Sequence, residues 1–401
     1  MAVINNGVGF GTRAVHAGQP ADPTTGALAY PIYQTTTYKH ARPGQNKGFS
    51  YTRTGNPTIQ ALAENLAALE GGIGAVCFAS GLAAEDAVFR LLKPGDHVLV
   101  SKVVYGGTVR LLRKVFEPWG LTWSAVDTGD PAAVEAAIRP DTRLLFVETP
   151  GNPTLAVSDL AALAQIARDH GLLYVVDNTF HTPALQRPFE FGADLVVHST
   201  TKWLEGHGTT IGGAVVVRES KGLLERLAFT QNATGNCQSV LDAWLTLRGI
   251  QTLGVRLERV SESALAIAHW LQRRPEVARV NYPGLPDFPG HDVNRRQAAS
   301  GGGVLSFELK GGVDAALRFI DALRLVVLAE NLGSTQTLLC HSATMTHAAL
   351  PREERLSIGI GDGLLRVSVG LEDLEDILAD LERGLVASRE SPVTVPAGGA
   401  Y

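Results

Sequence analysis

The chain has 401 residues, 45% of them hydrophobic and 19% charged, with a formal net charge of −5. That length exceeds what one hydrophobic core usually serves, and the composition is that of a folded protein with an ample interior. The small negative charge and the lack of any Lys/Arg-rich block exclude the electrostatic footprint of a nucleic-acid binder.

Residues 1–56 are rich in Gly, Thr, Pro and Tyr with weak periodicity, and read as an extended arm. "PTIQALAENLAALEGG", from Pro57, has proline at its start, Leu62, Leu66 and Leu69 at helical spacing, and a Gly-Gly stop, so it predicts a helix. Next come "GDHVLVSK", "RLLFVETP", "DLAALAQIARDHG", "LLYVVDNT", "DLVVHST" and "GGAVVVRE", short apolar runs alternating with an amphipathic stretch. Runs that are apolar on both faces belong to strands covered by helices on both sides. The expected fold is therefore α/β, with a mainly parallel sheet in a large domain spanning 57–253. From about Gly254 the texture changes to a long helix "VRLERVSESALAIAHWLQRR", a link "YPGLPDFPGH" and the run "GGGVLSFELKG". A later strand "LLRVSVG" and the acidic helix "LEDLEDILADLERGLVAS" complete a smaller C-terminal α+β domain, 254–388. Residues 389–401 read as a loose tail, and no internal repeat is present.

Ligands of open α/β sheets bind at the carboxyl ends of parallel strands, so polar residues that directly follow apolar runs are site candidates. "FVE" runs into "TPGNPT", placing Asn152 past a strand. "YVV" runs into Asp177 and Asn178, and "LVV" into His198, Ser199, Thr201 and Lys202. Taken singly, a strand-end aspartate is more often a turn former and a lone lysine a solvated charge. Together they change the reading. Hydroxyls beside a lysine suit an anionic group such as phosphate, and the amine can attack a carbonyl. Those are the needs of pyridoxal phosphate, whose ring nitrogen also requires a carboxylate, and Asp177 is placed to supply it.

These runs, with "YTRTGNPT" at Tyr51–Thr58, "ASGLAA" at Ala79–Ala84, "VVYGGT" at Val103–Thr108, "ETPGNPT" at Glu148–Thr154 and "LLRVSVGLED" at Leu364–Asp373, closely resemble the Cys/Met-metabolism family of pyridoxal-phosphate enzymes along nearly the whole chain. The resemblance implies the aspartate-aminotransferase-like fold type I and γ-elimination or γ-replacement on a sulfur-containing or homoserine-derived amino acid. It also implies a homotetramer of dimers with shared active sites. Motif by motif, Lys202 corresponds to the family's Schiff-base lysine and Asp177 to the partner of the ring nitrogen. Ser199 and Thr201, with the amides of Gly81 and Leu82, correspond to its phosphate binders, and Tyr105 to its ring-stacking, proton-handling aromatic. Tyr51 and Arg53 correspond to the pair that reaches a neighbouring subunit's phosphate, Arg366 to the substrate-carboxylate clamp, and Asn152 to a contact of the ring hydroxyl.

Cystathionine γ-lyases and γ-synthases lead among subtypes. Gly107 stands where methionine γ-lyases carry Cys, and Glu330 suits a distal ammonium. Asn331 departs from the usual Ser and resembles the O-acetylhomoserine sulfhydrylases, although their longer insertions are lacking. A noncatalytic pyridoxal-phosphate-binding regulator would keep Lys202 and Asp177, but would need neither Tyr105 nor Arg366. Gly9, Gly11 and Ala14 fit GxGxxA, a nicotinamide signature, yet neither a strand before them nor an amphipathic helix after them is expected. His341 and His347 lack a partner at metal-ligand spacing and read as structural or substrate-loop residues, as His207 does. Cys77, Cys237 and Cys340 lie far apart without CxxC spacing, which fits a reducing cytoplasm. Neither a signal peptide nor a membrane-spanning run is expected.

Overall fold

Along Leu144–Val147 successive side chains enter opposite layers, as a two-residue period requires: Leu144 and Phe146 join one apolar cluster, Leu145 and Val147 another. Helix Leu160–Asp169 covers the second layer with Leu160, Leu163, Ala164 and Ala167, while helix Gly81–Phe89 covers the first with Ala84, Ala87, Val88 and Phe89. In this computed structural model, residues 7–348 and 350–389 are described; beyond Arg389 the expected tail lies outside them.

The large sheet comprises β1 (Gly74–Phe78), β2 (His97–Ser101), β3 (Thr122–Val126), β4 (Thr142–Glu148), β5 (Leu173–Asp177), β6 (Leu195–His198) and β7 (Gly213–Val217). Their order is β1-β7-β6-β5-β4-β2-β3. The block β3-β2-β4-β5-β6 is parallel, as expected for α/β, whereas β7 runs antiparallel to both β6 and β1. The reason is local. Between β6 and β7 lies residue stretch 199–212, which forms no helix, and a parallel return needs a crossover of a dozen or more residues that is usually helical. That connection carries Lys202.

The second sheet holds β8 (Val277–Asn281), β9 (Val304–Leu309), β10 (Val327–Leu328), β11 (Leu338–His341) and β12 (Leu364–Ser368), in the order β10-β11-β12-β9-β8. Helices Leu253–Gln272, Gly312–Ala322 and Leu374–Ser388 pack on it through Leu257, Val260, Ala316, Phe319, Ile377 and Leu381.

The structure differs from the sequence expectation at the N-terminus. Phe10–His16 is helical, with Gly9 as its N-cap, and it packs on the chain's own helix Pro57–Glu70. Buried Asn65 pins it by donating from Nδ2 to the carbonyl of Ala17 at 2.9 Å. One polar side chain thus supplies what apolar periodicity did not. The glycines of the GxGxxA match therefore frame a helix start, with no strand before them among the described residues.

Asp380, 2% exposed, reaches from the last helix to accept the backbone N–H groups of Leu325 and Val326, both at 2.9 Å, and that of Arg324. This bond set fixes the approach to β10 and to residues 330–331 beyond it. Asp380→Ala leaves these donors without their partner, and should lower unfolding stability by about 2–4 kcal/mol. A drop in the denaturant midpoint at constant slope would show it; an unchanged midpoint would contradict it.

Candidate active site

A cavity of about 490 Å³ opens where the parallel strands end. β4 delivers Glu148 and, four residues on, Asn152; β5 delivers Asp177; β6 is followed by Ser199, Thr201 and Lys202. Gly81 and Leu82 open helix Gly81–Phe89, so their amide N–H groups have no partner within the helix, and the helix dipole favours negative charge there. Ser80 caps that helix by accepting from the Ala83 N–H. A Cβ on Gly81 would come within 2.9 Å of the Ser199 Cβ, so the close approach of these two segments requires glycine. Glu330, Asn331 and Arg366 close the cavity from the side of the second sheet.

Lys202 donates from Nζ to Asn331 Oδ1. Burial, and secondarily the positive charge of Arg366, hold its amine down to about 8. Asp177 is buried and its Oδ1 accepts the Thr179 N–H at 2.9 Å, while the Thr179 hydroxyl accepts from the Ser199 N–H at 2.9 Å. Burial pushes the Asp177 carboxyl upward, against these hydrogen bonds. Arg366, 4% exposed, donates from Nη1 to Asn152 Oδ1 at 2.9 Å and from Nη2 to the Asn331 carbonyl at 2.8 Å. Its Nε has no partner among the described residues. A donor left free in a buried site is one that a ligand can use.

Tyr105 lies half-exposed at the rim, its backbone N–H bonded to Glu148 Oε2 at 2.7 Å. A Cβ at Gly107 would meet the Tyr105 ring at 2.3 Å, so the absence of a side chain there is what lets the ring lie in this position. Thr201 donates its hydroxyl proton to the Gly212 carbonyl at 3.1 Å and accepts the Gly212 N–H, so that proton is engaged within the chain. Tyr51 and Arg53 do not line the cavity of their own chain. Both are exposed, and Arg53 donates to the carbonyl and side chain of Asn232.

Three charged lining residues were not singled out from sequence. Glu148 accepts N–H groups from both Tyr105 and Asn152, and burial followed by the charge of Asp177 raises it to about 8. Glu85 lies one helical turn after Gly81, a spacing that could have exposed it. Arg110 sits at the mouth. The histidines noted in the sequence bond within the chain: His341 donates from Nε2 to the Asp362 carbonyl and accepts from Thr344, His207 donates to the Glu205 carbonyl, and buried His347 pairs through Nδ1 with the Thr346 hydroxyl at 2.9 Å.

A family model for Cys/Met metabolism PLP-dependent enzymes matches residues 11–386, and the chain belongs to that family. It is 46% identical over 374 residues to a cystathionine gamma-lyase of Bacillus subtilis, covering 93% of this chain and 98% of the relative. Identity to a cystathionine beta-lyase of Coxiella burnetii is 45%, covering 93% of this chain and 97% of the relative. The solved cystathionine gamma synthase of Xanthomonas oryzae pv. oryzae, in complex with aminoacrylate and cysteine, superposes with a TM-score of 0.93 at 42% identity, covering 95% of this chain and 99% of that one. The chain is thus a pyridoxal-phosphate-dependent trans-sulfuration enzyme, a carbon–sulfur lyase or transferase of fold type I.

The residues present fit that cofactor: a partly buried amine, helix-start amides faced by a small serine, and a buried carboxylate share one cavity. In the cofactor-free chain, labelling of Lys202 by a neutral amine reagent should be half-maximal near pH 8, because only the unprotonated amine reacts. Surface lysines need higher pH. Peptide mass mapping across a pH series measures this, and a Lys202 profile matching the surface lysines would contradict it.

Proposed function

We propose that Lys202, Asp177, Ser199, Gly81 and Leu82 hold the cofactor, and that Tyr105, Arg366, Asn152 and Asn331 act on an amino acid bound beside it. The observation that carries this reading is the convergence of Lys202, Asp177 and Arg366 on one cavity from three separate chain segments. When bound, pyridoxal phosphate supplies an electron sink for negative charge at the substrate's α carbon. Arg366 offers a planar fork to the substrate carboxylate, with Nε free and the two Nη groups able to exchange their present acceptors. Lys202, with its amine near 8, takes the α proton and returns it elsewhere on the carbon chain. Tyr105, at the rim, restricts water and hands on protons.

We favour the cystathionine substrate class, acted on at the γ carbon. Arg366 lies deep, whereas Arg110 and Glu330 lie at the wall and mouth, an opposite-charge pair that complements a second carboxylate and ammonium. Methionine has no second zwitterionic end. The β-lyase among the relatives supports a second reading, cleavage at the β carbon. Incubation of the purified enzyme with cystathionine separates them: γ cleavage gives cysteine and 2-oxobutanoate, β cleavage homocysteine and pyruvate, each with ammonia. Activated homoserines with added cysteine test replacement. Turnover of methionine in preference to all of these would defeat the proposal.

We also place the enzyme in the cytoplasm, consistent with three unpaired cysteines, and as a homotetramer of dimers with an arm over 1–56 and units 57–253 and 254–388. Support for shared sites comes from Tyr51 and Arg53, which are exposed and away from their own cavity, and from Ile211, 61% exposed at the cavity wall. Mixed oligomers of Tyr51→Phe and Lys202→Ala chains should then recover activity that neither variant has alone, through the sites that combine both intact residues. Activity no higher than the sum of the separate variants would argue against sharing.

A further inference from the structure

Three carboxyl groups, Glu85, Glu148 and Asp177, line the cavity, and all three are buried. The charged and titratable groups facing them are Lys202, Arg366 and, next to Asp177, buried His198, with Tyr105, Arg110 and Glu330 towards the rim. A buried carboxylate persists as an anion only where donors replace its water. Glu148 has two, the N–H groups of Tyr105 and Asn152, and Asp177 has the Thr179 N–H. Glu85 differs. It is 3% exposed, its Oε2 has no partner among the described residues, and the neighbouring hydroxyl of Thr108 is itself unpaired at normal hydrogen-bond geometry. Of the three buried acids in the cavity, it is the one with no backbone N–H donor among the described residues and with a buried oxygen left unpaired.

Its position has a cause. Glu85 follows Gly81 by four residues on helix Gly81–Phe89, so it lies on the same helix face as the amides at the cavity, one turn deeper. The chain therefore places a third buried carboxyl in the cavity that holds the strand-end acids. An ionised group there would add uncompensated negative charge beside Asp177; an acid that keeps its proton is instead a donor.

Resting on the reading that Asp177 opposes the cofactor ring, we propose that Glu85 is a positioning residue: a neutral carboxylic acid whose O–H hydrogen-bonds to the Asp177 carboxylate and keeps that carboxylate ionised. Burial, and then the charge of Asp177, push the Glu85 carboxyl well above the usual range, in line with this role. The proton stays on Glu85 and no bond is exchanged. Asp177 gains a further donor beside those of Thr179, offsetting the burial that pushes its own carboxyl up.

The test uses the full-length holoenzyme, Glu85→Gln and Glu85→Ala. Infrared difference spectra of the holoenzyme against Glu85→Gln should show loss of a protonated-carboxyl C=O band; loss of a carboxylate band would overturn the proposal. Glu85→Gln keeps a neutral donor, so its pyridoxal-phosphate dissociation constant should stay within about threefold of the parent's. Glu85→Ala should bind about tenfold more weakly. Because its Asp177 protonates earlier, its affinity should also fall away at higher pH as the solution is acidified. A purely structural role would lower the unfolding midpoint without moving that pH profile, and would overturn the proposal, as would Glu85→Gln behaving like Glu85→Ala. Borohydride reduction of the parent separates the underlying reading: if no pyridoxyl adduct forms on Lys202, the cofactor assignment itself fails, whatever the infrared band shows.

Discussion

Glu70 accepts hydrogen bonds from His198 Nε2 at 2.6 Å and from Asn178 Nδ2 at 3.0 Å, and all three side chains are buried. His198 is the last residue of β6 and Asn178 the first beyond β5, so one carboxyl from helix Pro57–Glu70 holds both strand ends. Their chain neighbours are Ser199 and Asp177. The network continues: Asn178 Oδ1 accepts from Gln186, which also donates to the carbonyl of Thr149, the residue after Glu148. A buried polar chain joined in this way fixes geometry more firmly than apolar contact can, because each broken bond strands a partner away from water. Three strand termini are thereby held in register, and the cavity above them inherits that rigidity.

Above this floor the electrostatics are unresolved within the chain alone. Burial lowers Lys202 and raises Asp177 and Glu148, so the cavity carries groups whose charges the fold penalises. Perturbed groups cluster where chemistry is done. On the proposed reading, a cofactor that brings a phosphate, a ring nitrogen and a carbonyl would supply a counter-group for the amide-rich helix start, for Asp177 and for Lys202. The groups that burial penalises are thus the ones that define what binds.

Strand ends were the legible part of the site. Asn152, Asp177, Ser199 and Lys202 each lie at the end of an apolar run or within four residues beyond it, and the end of the run marks where the strand stops. Glu85 and Arg110 were not legible by that route, because on a helix a charged residue reads as a solvated face until the packing partner is known. Here the partner is the sheet end. β7 looked like its neighbours for a related reason: "GAVVV" is apolar on both faces, and composition does not record strand direction. The helix at Phe10–His16 is short and has only one buried apolar position, Ala14, so its anchor is the polar Asn65 and periodicity has little to register.

The two sheets meet inside the cavity through Lys202 on Asn331 and Arg366 on Asn152. Gly333 makes the first possible: at φ +79° it lies against the lysine's own backbone, where a Cβ would come within 2.8 Å of the Lys202 carbonyl carbon. Both links use groups that the chemistry needs. A substrate carboxylate taking Arg366 competes with Asn152, and a carbonyl taking the Lys202 amine competes with Asn331. On the proposed reading, a bound ligand would exchange hydrogen bonds between the sheets for hydrogen bonds to itself, so that its fit would set how the second sheet rests on the first.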